Sequence, residues 1–340
     1  MPPLPEGRVV TRTSIREVAR RAGVSVGTVS NVLNRPDLVA EATRARVQEA
    51  IDELGFVRNE SARRLRQGHS RTLGVVIEDV ANPYFTDVAK GAEAAMNADG
   101  FDAVLCTSDG SAGKEQRCLD FLEEQRVSGV LITPVDLRSN RVARLRARGM
   151  SVVLLDHRLG GVDICFARVD HAAGGDIAIS HLVGLGHSRI ALATASVEPE
   201  PCRERREGAA AALKRVDGAS MVTLYQPALT ATAGQEAAHR LLDLSPAPSA
   251  VFCANDLLAI GVVNELMRLG VKVPAEMAVV GYDDIELAAT AAIPLTTVRQ
   301  PRHALGWAAA ELAIAEATDG ETHDHQQLVL TPDLVVRESA

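Results

Sequence analysis

Apolar positions recur with a helical period over residues 15–54, and from Leu73 they change to short continuous runs separated by helical stretches. In the first region Ile15, Val18, Ala19 and Ala22 stand at i, i+3, i+4 and i+7, the stripe of a short helix. Ser14 with Glu17 three positions on is a capping box, each side chain answering a backbone N–H orphaned at the helix start. Gly23 supplies a tight turn. Ser25 caps a second helix whose inward positions are Val29, Val32 and Leu33, and whose outer face is Val26, Gly27, Ser30 and Asn31. Two short helices about a tight turn, the second with a small, polar outer face, predict a helix-turn-helix that reads DNA through the helix opening at Val26. Val47, Ala50, Ile51 and Leu54 predict a third helix from about Glu41, stopped by Gly55, which closes a small bundle.

Beyond Leu73 the runs at 73–77, 102–106, 129–133 and 151–155 read as buried parallel strands, with helices near 84–99, 114–126 and 139–148. The pattern resumes with strands at 189–194, 221–225, 250–254 and 277–281 and helices near 171–185, 203–215, 234–244 and 256–269. Two successive sets of β-α units predict an α/β core of two doubly wound lobes behind an all-α head. Ligands in such sheets bind beyond the carboxyl ends of the strands. The polar residues there, Asp79 and Asn82, Asp109, Asp156, Asn255 and Asp256, Asp283 and Asp284, are therefore expected to line a cleft between the lobes.

Charge sharpens this division. Residues 1–72 carry 13 Arg and no Lys against 8 acidic residues, whereas the whole chain has a net charge of −8. A basic head on an acidic body fits a DNA contact made by the head alone. The five cysteines are scattered without a C-x-x-C, so free thiols in a reducing cytosol are expected. No secretory apolar stretch opens the sequence and no run reaches membrane length, which predicts a cytoplasmic protein without a membrane partner.

The segments GVSVGTVSNVLN (23–34), NESARRLRQG (59–68), ANPYF (81–85), HLVGLGHSRIAL (181–192), FCANDLLAIG (252–261) and VVGYDD (279–284) occur in this order and at these distances. In this the chain resembles the LacI/GalR family of bacterial transcription regulators from about Ser14 to Arg337. The resemblance implies a helix-turn-helix head, a hinge, and a core of periplasmic-binding-protein type that binds a small effector and dimerises. The expected domains are a disordered lead-in over 1–13, the head over 14–58, a hinge over 59–71 and the core over 72–340.

It also implies roles for single residues. Val26, Gly27 and Asn31 match the base-reading positions; Asn can pair bidentately with adenine and Val can touch a thymine methyl. Ser14 joins the head's DNA-binding set, and Ser25, Thr28, Ser30 and Asn34 suit phosphate contacts, which position without specifying. In the hinge Asn59, Ala62, Arg63 and Leu65 match a segment that enters the minor groove, with Leu65 as the apolar wedge. For the effector, Asp79, Asn82, Tyr84, Phe85, Asp156, Arg158, Arg205, Asn255, Asp283 and Gln300 are carried over. An aromatic pair beside an amide suits a sugar, with ring C–H faces on the aromatics and hydroxyls on the polar groups.

The family's tetrameric members end in a leucine-heptad helix, and here Leu334–Val336 are followed only by RESA, so a homodimer on a palindromic operator is expected. Gly23–Gly27 spells G-x-S-x-G, but that nucleophile elbow must follow a strand, and this one follows a helix. Glu321, His323 and His325 lie in a late polar loop with no distant partner ligand evident, so no metal and no cofactor are expected. The predicted function is a repressor released from its operator by a small sugar-like effector, with corepression and a bare sugar-binding module as alternatives.

Overall fold

The structure, a computed structural model, describes residues 13–56, 70–136, 140–196 and 199–340. The lead-in and the hinge positions Asn59, Ala62, Arg63 and Leu65 lie outside the described residues. The chain divides into two compact units, Met1–His69 and Ser70–Ala340.

In the first unit the helices are α1 (Ile15–Ala22), α2 (Val26–Asn34) and α3 (Glu41–Leu54). The capping box forms: the Ser14 side chain accepts from the Glu17 N–H at 3.4 Å, and the Glu17 carboxylate accepts from the Ser14 N–H at 2.6 Å. Gly23 and Gly55 end α1 and α3 with φ of 65° and 57°, a conformation glycine adopts without strain. Val18, Val29 and Val47, one from each helix, are fully buried and meet at the centre of the bundle.

The second unit holds two sheets of the same design. Lobe 1 contains β1 (Thr72–Ile77), α4 (Pro83–Ala98), β2 (Asp102–Thr107), α5 (Ala112–Glu124), β3 (Gly129–Ile132), α6 (Arg141–Ala147), β4 (Ser151–Leu155) and β5 (Phe166–Val169). Lobe 2 contains α7 (His171–Gly184), β6 (Arg189–Ala195), α8 (Glu200–Leu213), β7 (Ser220–Gln226), α9 (Ala231–Leu242), β8 (Ala250–Cys253), α10 (Asp256–Arg268), β9 (Ala278–Asp283), α11 (Glu286–Thr290) and β10 (Thr296–Arg299). The chain then returns to lobe 1 as α12 (Arg302–Asp319), which packs on α4 and β4, and β11 (Gln327–Leu330), and ends in lobe 2 as β12 (Asp333–Val335).

Sheet order is β11-β5-β4-β3-β1-β2 in lobe 1 and β12-β10-β9-β8-β6-β7 in lobe 2. All pairings are parallel except β10 with β12. Helices cover both faces, which is why the central strands read as unbroken apolar runs: Leu73, Val75 and Ile77 face α4 and α12, while Val76 faces α5. In each lobe the order reverses beside the first strand, and the carboxyl ends at that point form the binding crevice of such sheets.

Among the described residues the chain passes between lobes three times, after Val169, after Arg299 and after Leu330. The strands β5, β10, β11 and β12 were not expected from the sequence. They are three or four residues long, and Arg168, Thr296, Thr297, Gln327 and Asp333 break up their apolar character. Helix boundaries moved toward the amino end where a cap fixes them. Ser111 accepts from Lys114 N and starts α5 at Ala112, and Thr230 accepts from Ala233 N and starts α9 at Ala231.

Candidate functional site

The head presents the face expected of a DNA reader. Gly27, Asn31 and Asn34 are exposed on α2, and Thr28 and Ser30 are half-buried. Ser25 caps the helix through the Thr28 N–H at 3.0 Å and also meets the Thr28 hydroxyl at 2.9 Å, so both hydroxyls sit at the helix N-terminus, where phosphate is favoured. Two positions differ from expectation. Val26 is half-buried against the head's core, which turns part of its surface away from a base. The Asn34 amide donates to the Ser30 carbonyl at 2.7 Å and reaches the Ser30 hydroxyl at 3.2 Å, so it is tied to its own helix.

In the core, residues from both lobes converge on Asp156. This aspartate follows β4 with φ of 56°, a left-handed conformation that Asp tolerates and that aims its carboxylate across the interlobe space. It accepts from the Tyr84 hydroxyl at 2.8 Å, the Val169 N–H at 3.1 Å and His171 Nε2 at 2.8 Å. Tyr84 is placed by the turn in which Asn82 accepts from the Tyr84 N–H at 3.0 Å, and its ring meets Phe85 edge-on at 5.1 Å. His171 opens α7 in lobe 2, so the Asp156–His171 contact joins the lobes.

The other ring nitrogen of His171 accepts from Arg205 Nε at 3.3 Å. Arg205 also donates to the Ala254 carbonyl at 2.6 Å, and its guanidinium carbon lies 3.7 Å from the centre of the Tyr282 ring. Asp283 ends β9 with φ of 118° and accepts from Gln300 Nε2 at 2.6 Å. Arg302, at the second crossing, donates to the backbone carbonyls of Asp283 and Asp284 and to Asp87 of lobe 1 at 3.1 Å.

Burial would raise the Asp156 carboxyl, but His171, the Val169 N–H and Tyr84 outweigh it and hold the group far below the usual carboxylate range. Burial lowers His171, with Arg205 adding to this against the opposing pull of Asp156, so the ring is neutral near pH 7 and donates its Nε2–H to Asp156 as a hydrogen bond. Burial works against the Arg205 charge, and neighbours including Tyr282, Asp283 and Asp156 overcome it, so the guanidinium stays protonated. Burial pushes Asp283 up to about 6, against the pull of Arg205 and Gln300.

The structure thus brings together Tyr84, Phe85, Asp156, Arg205, Asp283 and Gln300. Asn82 and Asn255 act as helix caps at the rim of this group. Asn255 accepts from the Leu258 N–H at 2.9 Å and spends one amide proton on the Leu229 carbonyl at 3.1 Å. Asp79 turns back on the Ala81 N–H, and Arg158 is 59% exposed, bridging to Glu200 and Glu204 of lobe 2. Of the wider set of strand-end residues, Asp109 pairs outside with Lys114, Asp284 pairs with Arg337, and Asp256 is committed to the Ile285 N–H and the Thr297 hydroxyl. His171, Tyr282 and Arg302 were missed by sequence reasoning. Tyr282 lies inside the quoted VVGYDD segment, while His171 follows a strand that the pattern did not disclose.

Comparison with known proteins gives this arrangement its family. The family model described as "Bacterial regulatory proteins, lacI family" matches residues 14–59, and that of the "Periplasmic binding protein-like domain" matches 179–340. The ribose operon repressor of Escherichia coli (strain K12) is 36% identical over 330 residues, 96% of this chain and 99% of that protein. The chain belongs to the lacI family of bacterial regulatory proteins. The lac repressor dimer bound to operator and the anti-inducer ONPF superposes with a TM-score of 0.83 at 26% identity, covering 97% of this chain and 99% of that one. The complex of transcriptional regulator CelR with cellobiose does so with a TM-score of 0.72 at 32% identity, covering 97% and 100%. This lacI-family chain is a DNA-binding regulator of transcription rather than an enzyme, and among its described residues no helix is long and apolar enough to cross a membrane.

What holds Arg205 against His171 is a backbone contact between α7 and α8. A Cβ at Gly208 would lie 1.9 Å from the Ala172 carbonyl oxygen, and one at Gly175 would lie 1.9 Å from that of Arg205. Gly208→Ala must push the helices apart, at a cost of about 1–3 kcal/mol, the usual range for overpacking. Thermal denaturation is expected to show a lower melting temperature for the core; an unchanged value would mean that the helices slide without penalty.

Proposed function

We propose that this regulator represses transcription as a homodimer on a near-palindromic operator in the bacterial cytoplasm. A neutral sugar bound between the lobes releases it. The supporting observation is the buried network around Asp156, Arg205 and Asp283, which alternates acceptors and donors and spans both lobes. Gln300 Oε1 is buried at the second crossing without a partner, and Thr194 Oγ1 and Gln226 Nε2 are likewise unpartnered at the carboxyl ends of β6 and β7. Leaving such atoms unpaired costs about 1–3 kcal/mol each, which ligand hydroxyls would recover. The DNA-contacting residues proposed are Ser14, Ser25, Val26, Gly27, Thr28, Ser30, Asn31 and Asn34, with Asn31 carrying the base reading and the hydroxyls of Ser25, Thr28 and Ser30 holding phosphates, joined by the hinge.

The charge balance selects among sugars. Asp156 and Asp283 set two buried carboxylates beside Arg205, with His171 neutral and Arg302 already engaged with the Asp283 and Asp284 carbonyls and with Asp87. A sugar phosphate would bring its charge against those carboxylates, whereas a neutral polyol finds both acceptors and donors. The ribose operon repressor and the CelR–cellobiose complex carry sugars in their names, in keeping with this class. A ligand that contacts both lobes favours one interlobe geometry, and only such differential affinity can change the DNA-binding state.

Thermal shift against paired neutral and phosphorylated sugars tests the reading, since a ligand of the native state raises its melting temperature. Neutral sugars are expected to stabilise and their phosphates to leave the transition unchanged; the reverse would contradict the charge argument. Binding should also depend on pH. If the ionised Asp283 carboxylate accepts sugar hydroxyls, affinity is full above its value of about 6 and falls as pH drops through it. The loss approaches about tenfold per pH unit. Asp283→Asn is expected to bind more weakly and with a flat profile, as read by titration calorimetry.

A further inference from the structure

His323 and His325 stand just before β11, and the structure supplies the distant partner their loop lacked in the sequence. Cys165, fully buried just before β5, lies with its Sγ 3.2 Å from His323 Nε2 and 3.5 Å from His325 Nδ1. Among the described residues this is the group in which three such donors converge, all within 4.8 Å of one another. The sequence expectation of no metal rested on a missing third ligand, and the pairing of β5 with β11 provides it.

The distances are those a tetrahedral ion needs. With metal–sulfur bonds near 2.3 Å and metal–nitrogen bonds near 2.0–2.1 Å, donor atoms in a tetrahedral site stand about 3.5 Å apart. The His323 ring is 4% exposed, and its other nitrogen lies 3.6 Å from the Asp319 carboxylate, beyond hydrogen-bond distance but on the side where a metal-ligating ring takes an outer partner. The Gln326 N–H points at Cys165 Sγ from 3.3 Å, as backbone donors do around bound thiolates. Arg146 donates to His325 Nε2 at 2.6 Å and has to turn aside, because a ring bound through Nδ1 carries its proton on Nε2.

We propose that Cys165, His323 and His325 bind a single transition-metal ion of the zinc class. One sulfur and two imidazole nitrogens suit zinc and exclude the oxygen-seeking magnesium and calcium. On binding, the Cys165 thiol loses its proton to solvent, the sulfur–metal bond forms, and a water completes the coordination. The ion ties the lead-ins of β5 and β11, the two lobe 1 strands from which the chain runs on into lobe 2, so it stiffens the interlobe connection at a distance from the effector network.

The test is titration of untagged, metal-stripped full-length protein with cobalt(II), which reports ligand type and geometry by absorption. One ion per chain is expected, with a thiolate charge-transfer band and the intense visible bands of a four-coordinate ion, both displaced by zinc. Cys165→Ser should remove the charge-transfer band, and His325→Ala should abolish stoichiometric binding. Absence of the band in the wild-type protein would overturn the proposal. So would a band that survives Cys165→Ser, since it would come from another of the cysteines.

Discussion

Arg205→Lys is expected to lower affinity for the effector by about 10- to 100-fold while operator binding stays intact. The guanidinium does three things from one buried position: it donates to His171, donates to the Ala254 carbonyl and lies over the Tyr282 ring. Lysine keeps the positive charge beside Asp156 and Asp283 but cannot stack or fork. Arg205→Ala is the harsher change, because it leaves buried carboxylates without a counter-charge, at a cost of about 3–5 kcal/mol to the fold. The lysine variant therefore separates recognition from stability. Calorimetry with the stabilising sugar, alongside an operator shift assay, reads both. A lysine variant with wild-type sugar affinity would show Arg205 to be a brace within lobe 2 and would remove it from the binding set.

Asn31→Ala is expected to cost about 1–3 kcal/mol for each operator half-site. Asn31 is exposed on α2 while Val29 and Val32 on either side are buried, so the substitution leaves the head's core untouched. Gly27 offers no side chain and Val26 is half-buried, which concentrates base reading by this helix on Asn31. A dimer makes the contact twice, and the losses add for well-separated half-sites. Binding to unrelated DNA, which rests on phosphate contacts, should be unchanged, as should the slope of affinity against salt. Equal loss on specific and unrelated DNA would reassign Asn31 to the backbone.

The head was legible because its signals are local. Ser14 with Glu17, Gly23, Ser25 and Gly55 each act within one turn of where they stand, and the fully buried Val18, Val29 and Val47 occupy the positions their spacing predicted. The central strands were legible because burial on both faces leaves an unbroken apolar run. The crossings were not. β5 reads FARV, and its Arg168 is buried only because Glu204 of the other lobe pairs with it. β11 reads QLVL and joins lobe 1 beside a strand far earlier in the chain. Losing those strands hid His171 at the start of α7, and it hid Cys165, which is 158 residues from His323. The resemblance to known regulators reached Asp156, Arg205 and Asp283 by position. It could not show that Asp79 and Arg158 would be turned to backbone capping and to a rim ion pair.

The central claim is that one sugar-binding network between the lobes controls one DNA-binding head. The measurement that tests it is operator affinity of the full-length protein with and without the stabilising neutral sugar, at fixed salt. The account predicts tight binding to a near-palindromic site without sugar and at least tenfold weaker binding when the core is saturated, a coupling of about 1.4 kcal/mol or more. Operator affinity unchanged by a sugar that demonstrably binds the core would contradict it, and tighter binding would reverse the regulator to corepression.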